Sequence, residues 1–358
     1  MWGSDLEKIG NTEDSLCARP INKLKTDDGP YFASIIIVTF NHSKYLKSCI
    51  QSLKAQNFPH EIIVVDNGST DGTIEIIQRQ FSNIKLILSG KNVGYGTANN
   101  IGTDHAKGNI IVFLNPDTYV QKGWLRNLVN PILQENHIIT TPKILTYNGK
   151  IINTCGNINH FSGLTFTRGL GKSPNEYTKR EEVSGISGAC FALKKEDFLL
   201  LERFDESFFL YNEDSDFSWR AQLYGYKILF IPHSVVYHDY FLKMSPEKLY
   251  HLEKGRYQIL RKYLRSKDII IFFPSLALTE IMVFFYSIKF GLNGLKFKFK
   301  SIKNGLRSPI NEIRGDYRSL FFHLSVTIPD DQLTMNKSEN IGKKICNSIF
   351  RINYRMIQ

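Results

Sequence analysis

Four short runs of consecutive apolar, mostly β-branched residues set the rhythm of the first third of the chain. They are Ser34 to Val38, Glu61 to Val65, Lys85 to Leu88 and Asn109 to Leu114. Apolar character on both faces is what strands buried inside a parallel sheet need. Polar, helix-compatible stretches separate them: Lys44 to Asn57, Thr73 to Gln80, and Asn99 to Lys107, the last ended by Gly108. This alternation predicts an α/β fold with a doubly wound, mostly parallel, Rossmann-like sheet. Residues 140–185 show scattered Gly, Asn and Thr and predict no regular element. Pattern returns with an aromatic-acidic segment (Phe204 to Phe217), a short helix through Trp219-Arg220, and strands at Lys227 to Ile231 and Ser234 to Tyr237.

The longest apolar stretch, IIIFFPSLALTEIMVFFYSI over 269–288, approaches the length of a membrane span. Pro274 and Glu280 interrupt it, and a glutamate is costly in lipid. Basic residues flank it on both sides: Arg256, Arg261, Lys262, Arg265 and Lys267 before, and Lys289, Lys296, Lys298, Lys300, Lys303 and Arg307 after. That arrangement predicts a helix pair lying in the interface of an anionic leaflet, with a core helix or oligomer contact and a true membrane span as the competing readings. The expected organisation is a flexible leader over 1–30, an α/β domain over 31–265, an amphipathic helical extension over 266–310 and a polar tail over 311–358.

The 358 residues are 42% hydrophobic and 22% charged, which excludes a disordered tail or a fibrous repeat. A net charge of +11 predicts an anionic partner: nucleotide, nucleic acid or lipid headgroup. Cys17, Cys49, Cys155, Cys190 and Cys346 are scattered singly, so neither a disulfide framework nor a structural zinc site is expected, and a reducing cytosol is. The opening MWGSDLEKIG lacks an apolar core, so a cleavable secretory signal is not expected.

Candidate chemistry sits at strand ends. Asp66-Asn67-Gly68-Ser69-Thr70-Asp71-Gly72 and Asn115-Pro116-Asp117 each follow a predicted strand, and ligands of open α/β sheets bind there. A plain turn of Asp, Asn and Gly is the alternative for the first cluster. Asp66 can accept hydrogen bonds from a base or ribose. Asp117 can hold a divalent cation against a diphosphate, because Mg²⁺ and Mn²⁺ prefer oxygen ligands. Asn92-Val93-Gly94-Tyr95-Gly96 is not the dinucleotide fingerprint, because it does not follow the first strand.

The segments IIIVTFN (35–41), EIIVVDNGSTDGT (61–73), NVGYGTANNIG (92–102), FLNPD (113–117), SGAC (187–190), FDESFFLYNEDSDFSWR (204–220) and VVYHD (235–239) occur in that order. Together they resemble the inverting family 2 glycosyltransferases of the GT-A fold, particularly rhamnosyltransferase-like members. The resemblance implies that Thr39, Asn41 and Asp66 meet the donor nucleotide, and that Asn92, Gly94 and Asn100 belong to the loop and helix closing over it. Asp117 matches the last acid of the metal-binding D-x-D motif, whose first position is Asn115 here. His238 matches a metal or diphosphate ligand, with His233 as its competitor. Glu213-Asp214 matches the acceptor-side acidic motif, implying Asp214 as general base and Glu213 as an acceptor-orienting group, with Asp216 structural. Arg256 is a candidate for meeting a phosphate.

The implied activity is metal-assisted transfer, with inversion, of a sugar from a UDP-, GDP- or dTDP-linked donor to a hydroxyl of a glycan or polyprenyl-linked acceptor. The expected cofactor is Mg²⁺ or Mn²⁺. An anionic membrane surface is expected as a partner and nucleic acid is not, with the protein peripheral on the inner face of the cell membrane. The alternatives are a sugar-nucleotidyltransferase, which would need an early Gly-rich basic loop absent between Thr39 and Lys47, and a catalytically inactive adaptor for membrane or nucleic acid. A dead scaffold has no physical need for acids at all three positions, 66, 117 and 214.

Overall fold

The structure is a computed structural model describing residues 25–26, 29–240, 243–311, 313, 317–330, 332 and 337–356. Most of the leader expected over 1–30 lies outside the described residues. Its described part is an antiparallel pair, β1 (Lys25–Thr26) and β2 (Gly29–Pro30).

From Phe32 onward the chain forms one unit. Its first half alternates as the hydrophobic pattern requires: β3 (Ala33–Thr39), α1 (Ser43–Lys54), β4 (His60–Asp66), α2 (Thr73–Gln80), β5 (Lys85–Leu88), α3 (Tyr95–Asp104) and β6 (Ile110–Leu114). Every residue of β3 and β6 is buried, which explains their continuous apolar runs. Helix α1 repays that burial from one side with Leu46, Cys49, Ile50 and Leu53 at helical spacing. Strands β5, β4, β3 and β6 are parallel neighbours, with Thr39 beside Asp66 and Ile37 beside Leu114. Their carboxyl ends therefore form one rim. Helix α3 begins at Tyr95, four residues before the expected start, because Gly94 provides its N-cap.

The second half is mixed. After β7 (Thr118–Val120) and α4 (Trp124–Gln134), β8 (Ile138–Thr146) is buried over its whole length. This central strand falls where the sequence predicted nothing regular, because Thr140, Thr141, Pro142 and Lys143 dilute its apolar signal. Short strands β9 (Ile152–Thr154), β10 (Asn157–Asn159), β11 (Thr165–Thr167) and β12 (Glu181–Glu182) follow. Strand β13 (Cys190–Lys194) inserts antiparallel between β6 and β8. Helices α5 (Lys195–Leu200) and α6 (Glu213–Leu223) lead to β14 (Lys227–His238). The two strands expected there are one, with a register shift between Ile231 and Val235 against its parallel neighbour β8.

The C-terminal region is α7 (Pro246–Tyr263), α8 (Ser266–Ile288), α9 (Gly291–Arg307), α10 (Tyr317–His323) and α11 (Lys337–Tyr354). The stretch after 311 is not a loose polar tail. Leu320, Phe321, Phe350 and Tyr354 share a buried apolar cluster with Phe161, Tyr263 and Phe272. Helix α8 runs unbroken through Pro274. Three of its expected basic flankers are internal: Arg256, Lys262 and Lys298 are 1%, 6% and 1% exposed. Arg256 is therefore closed off from solvent and held by carboxylates of this chain. It pairs with Glu253 at 2.8 Å and with Glu280, and Glu280 also accepts from Lys298 at 2.8 Å. That network resolves the cost of a glutamate in an apolar helix. Burial alone would raise the Glu280 carboxyl, but Arg256 and Lys298 hold it down at about 2.

Candidate active site

At the parallel rim, Asp66 is 1% exposed and divided in its duties. Its Oδ1 accepts the backbone N–H of Gly68 at 3.0 Å and of Ser69 at 2.9 Å, while Oδ2 is buried without a hydrogen-bond partner. The turn reading accounts for Oδ1, while Oδ2 stays buried and takes no part in the turn. Thr39, its neighbour in register, likewise keeps a buried hydroxyl without a partner.

Four other nominated residues build the frame. Asn41, at φ 59°, gives its side-chain oxygen to the Thr70 N–H at 2.8 Å and so braces the 68–72 loop. Asn92 accepts from Gly94 and from Asn67, both at 3.0 Å. Asn100 was expected near the nucleotide, but its amide donates to the Phe204 carbonyl and accepts the Phe204 N–H. Its side chain is spent locking α3 to the 204 loop. Gly94 is required: its φ is +90°, and a Cβ there would lie 2.5 Å from the Phe209 carbonyl.

Asp117 and His238 are brought together from β6 and β14. His238 Nε2 lies 3.2 Å from Asp117 Oδ1, yet the two are misaligned for hydrogen bonding, and both ring nitrogens and Asp117 Oδ1 are buried without partners. Burial alone would raise the Asp117 carboxyl, but the His238 ring outweighs it and the net shift is downward. Orphaned oxygen and imidazole nitrogen at this separation fit a divalent cation, which completes its shell with water and phosphate oxygens. No cluster of three or more His, Cys, Asp or Glu occurs among the described residues, so the protein offers this pair. The adjacent Asp239 is already engaged by the Tyr45 hydroxyl. Asn115, at the first D-x-D position, donates its backbone N–H to Ala189 at 2.9 Å and accepts Thr118 Oγ1 on its carbonyl, so its backbone shapes the turn that presents Asp117.

Glu213 and Asp214 open α6 after Tyr211 and Asn212, which occupy the left-handed region at φ 64° and 68°. Two such residues in succession are costly and mark a position that the surrounding structure enforces. Burial raises both acids. For Glu213 the neighbouring Asp214 charge raises it further, and its Oε2 has no partner. Asp214 instead receives donors that favour the carboxylate: Gly188 N–H at 3.0 Å and Asn157 Nδ2 at 3.2 Å on Oδ2, and Ser215 N–H at 2.8 Å on Oδ1. Burial keeps both carboxyls raised; at Asp214 the Gly188 and Ser215 N–H donors oppose that shift, whereas the Asp214 charge adds to it at Glu213. Asp216 belongs to the frame, meeting Lys262 at 2.8 Å and Arg220 at 3.3 Å.

Sequence reasoning missed Asn157, Gly188 as a donor, Tyr240 and Lys248. Asn157 lies on the short β10, in the segment read as patternless. Tyr240 and Lys248 follow the last recognisable motif, and the only local signal is the Ser245-Pro246 start of α7, where Ser245 Oγ accepts the Lys248 N–H. Tyr240 stacks on the His238 ring with centroids 5.4 Å apart. His233 lies on β14 and offers its carbonyl to Asn127, away from Asp117.

Residues 34–199 match the profile of Glycosyl transferase family 2. The chain is 26% identical over 251 residues to the rhamnosyltransferase WbbL of Escherichia coli K12, covering 65% of this chain and 94% of that one. It is 25% identical over 229 residues to the N-acetylglucosaminyl-diphospho-decaprenol L-rhamnosyltransferase of Mycobacterium tuberculosis, covering 57% and 75%. Against several other curated glycosyltransferases it spans less than half of their length. In structure it is similar to GalNAc-T7 crystallised with UDP, GalNAc and Mn²⁺, with a TM-score of 0.58 at 20% identity over 76% of this chain and 54% of that one. Residues 34–199 thus match glycosyl transferase family 2, and the fold is similar to those of solved GT-A glycosyltransferases.

Proposed function

We propose that this protein transfers a sugar, with inversion, from a nucleoside-diphosphate donor to a hydroxyl of a lipid-linked glycan acceptor. The observation that carries the reading is a single rim on which Thr39, Asp66, Asp117, His238 and Glu213 each leave a buried polar atom without a partner among the described residues. Such atoms cost free energy unless a ligand satisfies them.

Asp66 and Thr39 bind the nucleoside. Asp117 and His238 would hold Mg²⁺ or Mn²⁺, which supplies positive charge to the diphosphate. Asp214 takes the proton of the acceptor hydroxyl as that oxygen bonds to the anomeric carbon. The bond from that carbon to the β-phosphate oxygen breaks, and its electron pair leaves with the nucleoside diphosphate. Glu213, held protonated, donates to the acceptor and orients it. One displacement inverts the anomeric centre. Donor hydrolysis and transfer measured across UDP-, GDP- and dTDP-sugars tests the reading. Selective turnover with an inverted product is expected, and absence of any nucleotide-selective binding would refute it.

The lipid-linked acceptor is supported by α8 and α9. Ile270, Phe273, Phe285, Leu292 and Phe299 are at least 60% exposed, and Lys289, Lys296, Lys300, Lys303 and Arg307 are exposed beside them. Among the described residues α8 is the helix long and apolar enough to cross a membrane, but its buried Glu280 network ties it to α7. Tyr250 meets Phe297 and Arg261 meets Ser308, so α7 and α9 run in the same direction. The α8–α9 turn therefore lies at the end of α7 that carries Lys248. An anionic leaflet under this hairpin would bring acceptor headgroups to the rim, with the protein peripheral on the cytoplasmic face. Binding to anionic but not neutral vesicles is expected, with only partial release by salt.

A further inference from the structure

Lys248 is 8% exposed, and its surroundings do not neutralise it. Its ammonium contacts the Tyr240 hydroxyl and lies 4.9 Å from the Tyr211 ring centroid and 4.7 Å from that of Tyr240. Among the described residues no carboxylate pairs with it; the described ion pairs of α7 engage Glu253, Arg256 and Lys262 instead. An ammonium carries three donors, and a phenol is a neutral acceptor. Buried charges are otherwise paired or bind ions. The position compounds the cost: Lys248 sits in the first turn of α7, where the helix dipole is positive and repels a cation. Both terms reverse when an anion arrives.

The location says which anion. Tyr240 stacks on His238, the partner of Asp117. Tyr211 lies two residues before Glu213. Lys248 thus stands between the metal-ligand pair and the acidic pair, where the breaking bond releases a diphosphate.

We infer that Lys248, held between Tyr211 and Tyr240, is a diphosphate-binding residue of this site. This rests on the glycosyltransferase reading above. The diphosphate belongs to the nucleotide donor or to a prenyl-diphosphate acceptor, and the chemistry of recognition is the same: an ammonium and a helix N-terminus against phosphate oxygens.

The test uses the full chain with Lys248→Met, which keeps the apolar stem between the rings, Lys248→Gln as a second neutral variant, and Lys248→Arg, which keeps the charge. Calorimetry compares UDP with UMP, GDP with GMP and dTDP with dTMP, and farnesyl diphosphate with farnesyl monophosphate. In one arm or the other, the neutral variants are expected to lose about tenfold or more of the diphosphate affinity, with the monophosphate within about twofold and Lys248→Arg near wild type. Loss in the nucleotide arm assigns the donor, and loss in the prenyl arm assigns the acceptor. A preference for diphosphate that survives in both arms of a variant that melts normally overturns the inference. Equal loss of mono- and diphosphate overturns it as well. Wild-type protein that binds no nucleotide would instead overturn the glycosyltransferase reading, and the two failures are distinct.

Discussion

Two sets of buried charges in this molecule behave in opposite ways. Around α6, α7, α8 and α9 each has a counter-charge: Asp216 with Lys262 and Arg220, Lys262 also with Asp205, Glu253 with Arg256 and Lys298, and Glu280 with both of those cations. At the rim they do not. Asp117 and His238 are misaligned, Glu213 lies beside another acid, and Lys248 has phenol rings for company. The first set fastens the helices to one another and to the loop at Asp205. The second is left incomplete among the described residues, which is what the proposed ligand site requires.

The contrast makes the rim and the frame respond differently to the same kind of substitution. The largest effect is expected for Asp214→Asn, which keeps the shape and loses the base: kcat should fall by about 10²–10⁴ while donor affinity stays within a few-fold. Near-normal turnover, or a retained anomeric configuration, would remove Asp214 from that role. Next is Arg256→Met in the frame. It leaves two glutamates facing one lysine and should cost about 3–5 kcal/mol in denaturant unfolding. A loss below about 1 kcal/mol would mean that the network adds no more than a surface ion pair does.

Asp117→Ala should leave thermal stability intact and lower nucleoside-diphosphate affinity in Mn²⁺ to the value seen in EDTA. Unchanged metal-dependent affinity would detach Asp117 from the cation.

The smallest effect is a pH slope. The Glu213 carboxyl is raised by burial and then by the Asp214 charge, so the folded state binds its proton more tightly than the unfolded chain does. The resulting stability is present in full below the ordinary glutamate range near 4.5 and declines as pH rises through neutrality. Melting curves of Glu213→Gln should lack this decline. Parallel wild-type and Glu213→Gln profiles between pH 5 and 8 would show that Glu213 ionises in the folded protein as it does in water.

What the sequence determined by itself is the parallel half of the sheet and the residues at its carboxyl rim. Strands buried on both faces must be continuously apolar, and polar residues that interrupt the chain at their ends stand out against them. Asp66 and Asp117 stood out for that reason, whereas Thr39 and the Glu213-Asp214 pair were singled out only by the resemblance to family 2 glycosyltransferases. The tertiary structure decided the rest, because burial and partnership are not local properties. Strand β8 is central despite its threonines and lysine, since β13 and β14 cover its edges. Arg256 and Lys298 looked like solvated basic flank and are internal, since Glu253 and Glu280 from other turns and another helix receive them. Asn100 looked like a ligand and is a strut to Phe204. Lys248 was one lysine among many along the chain. Its distinction is that the folded protein brings two tyrosines to it and, among the described residues, no carboxylate, and only a three-dimensional arrangement can leave a charge unpaired.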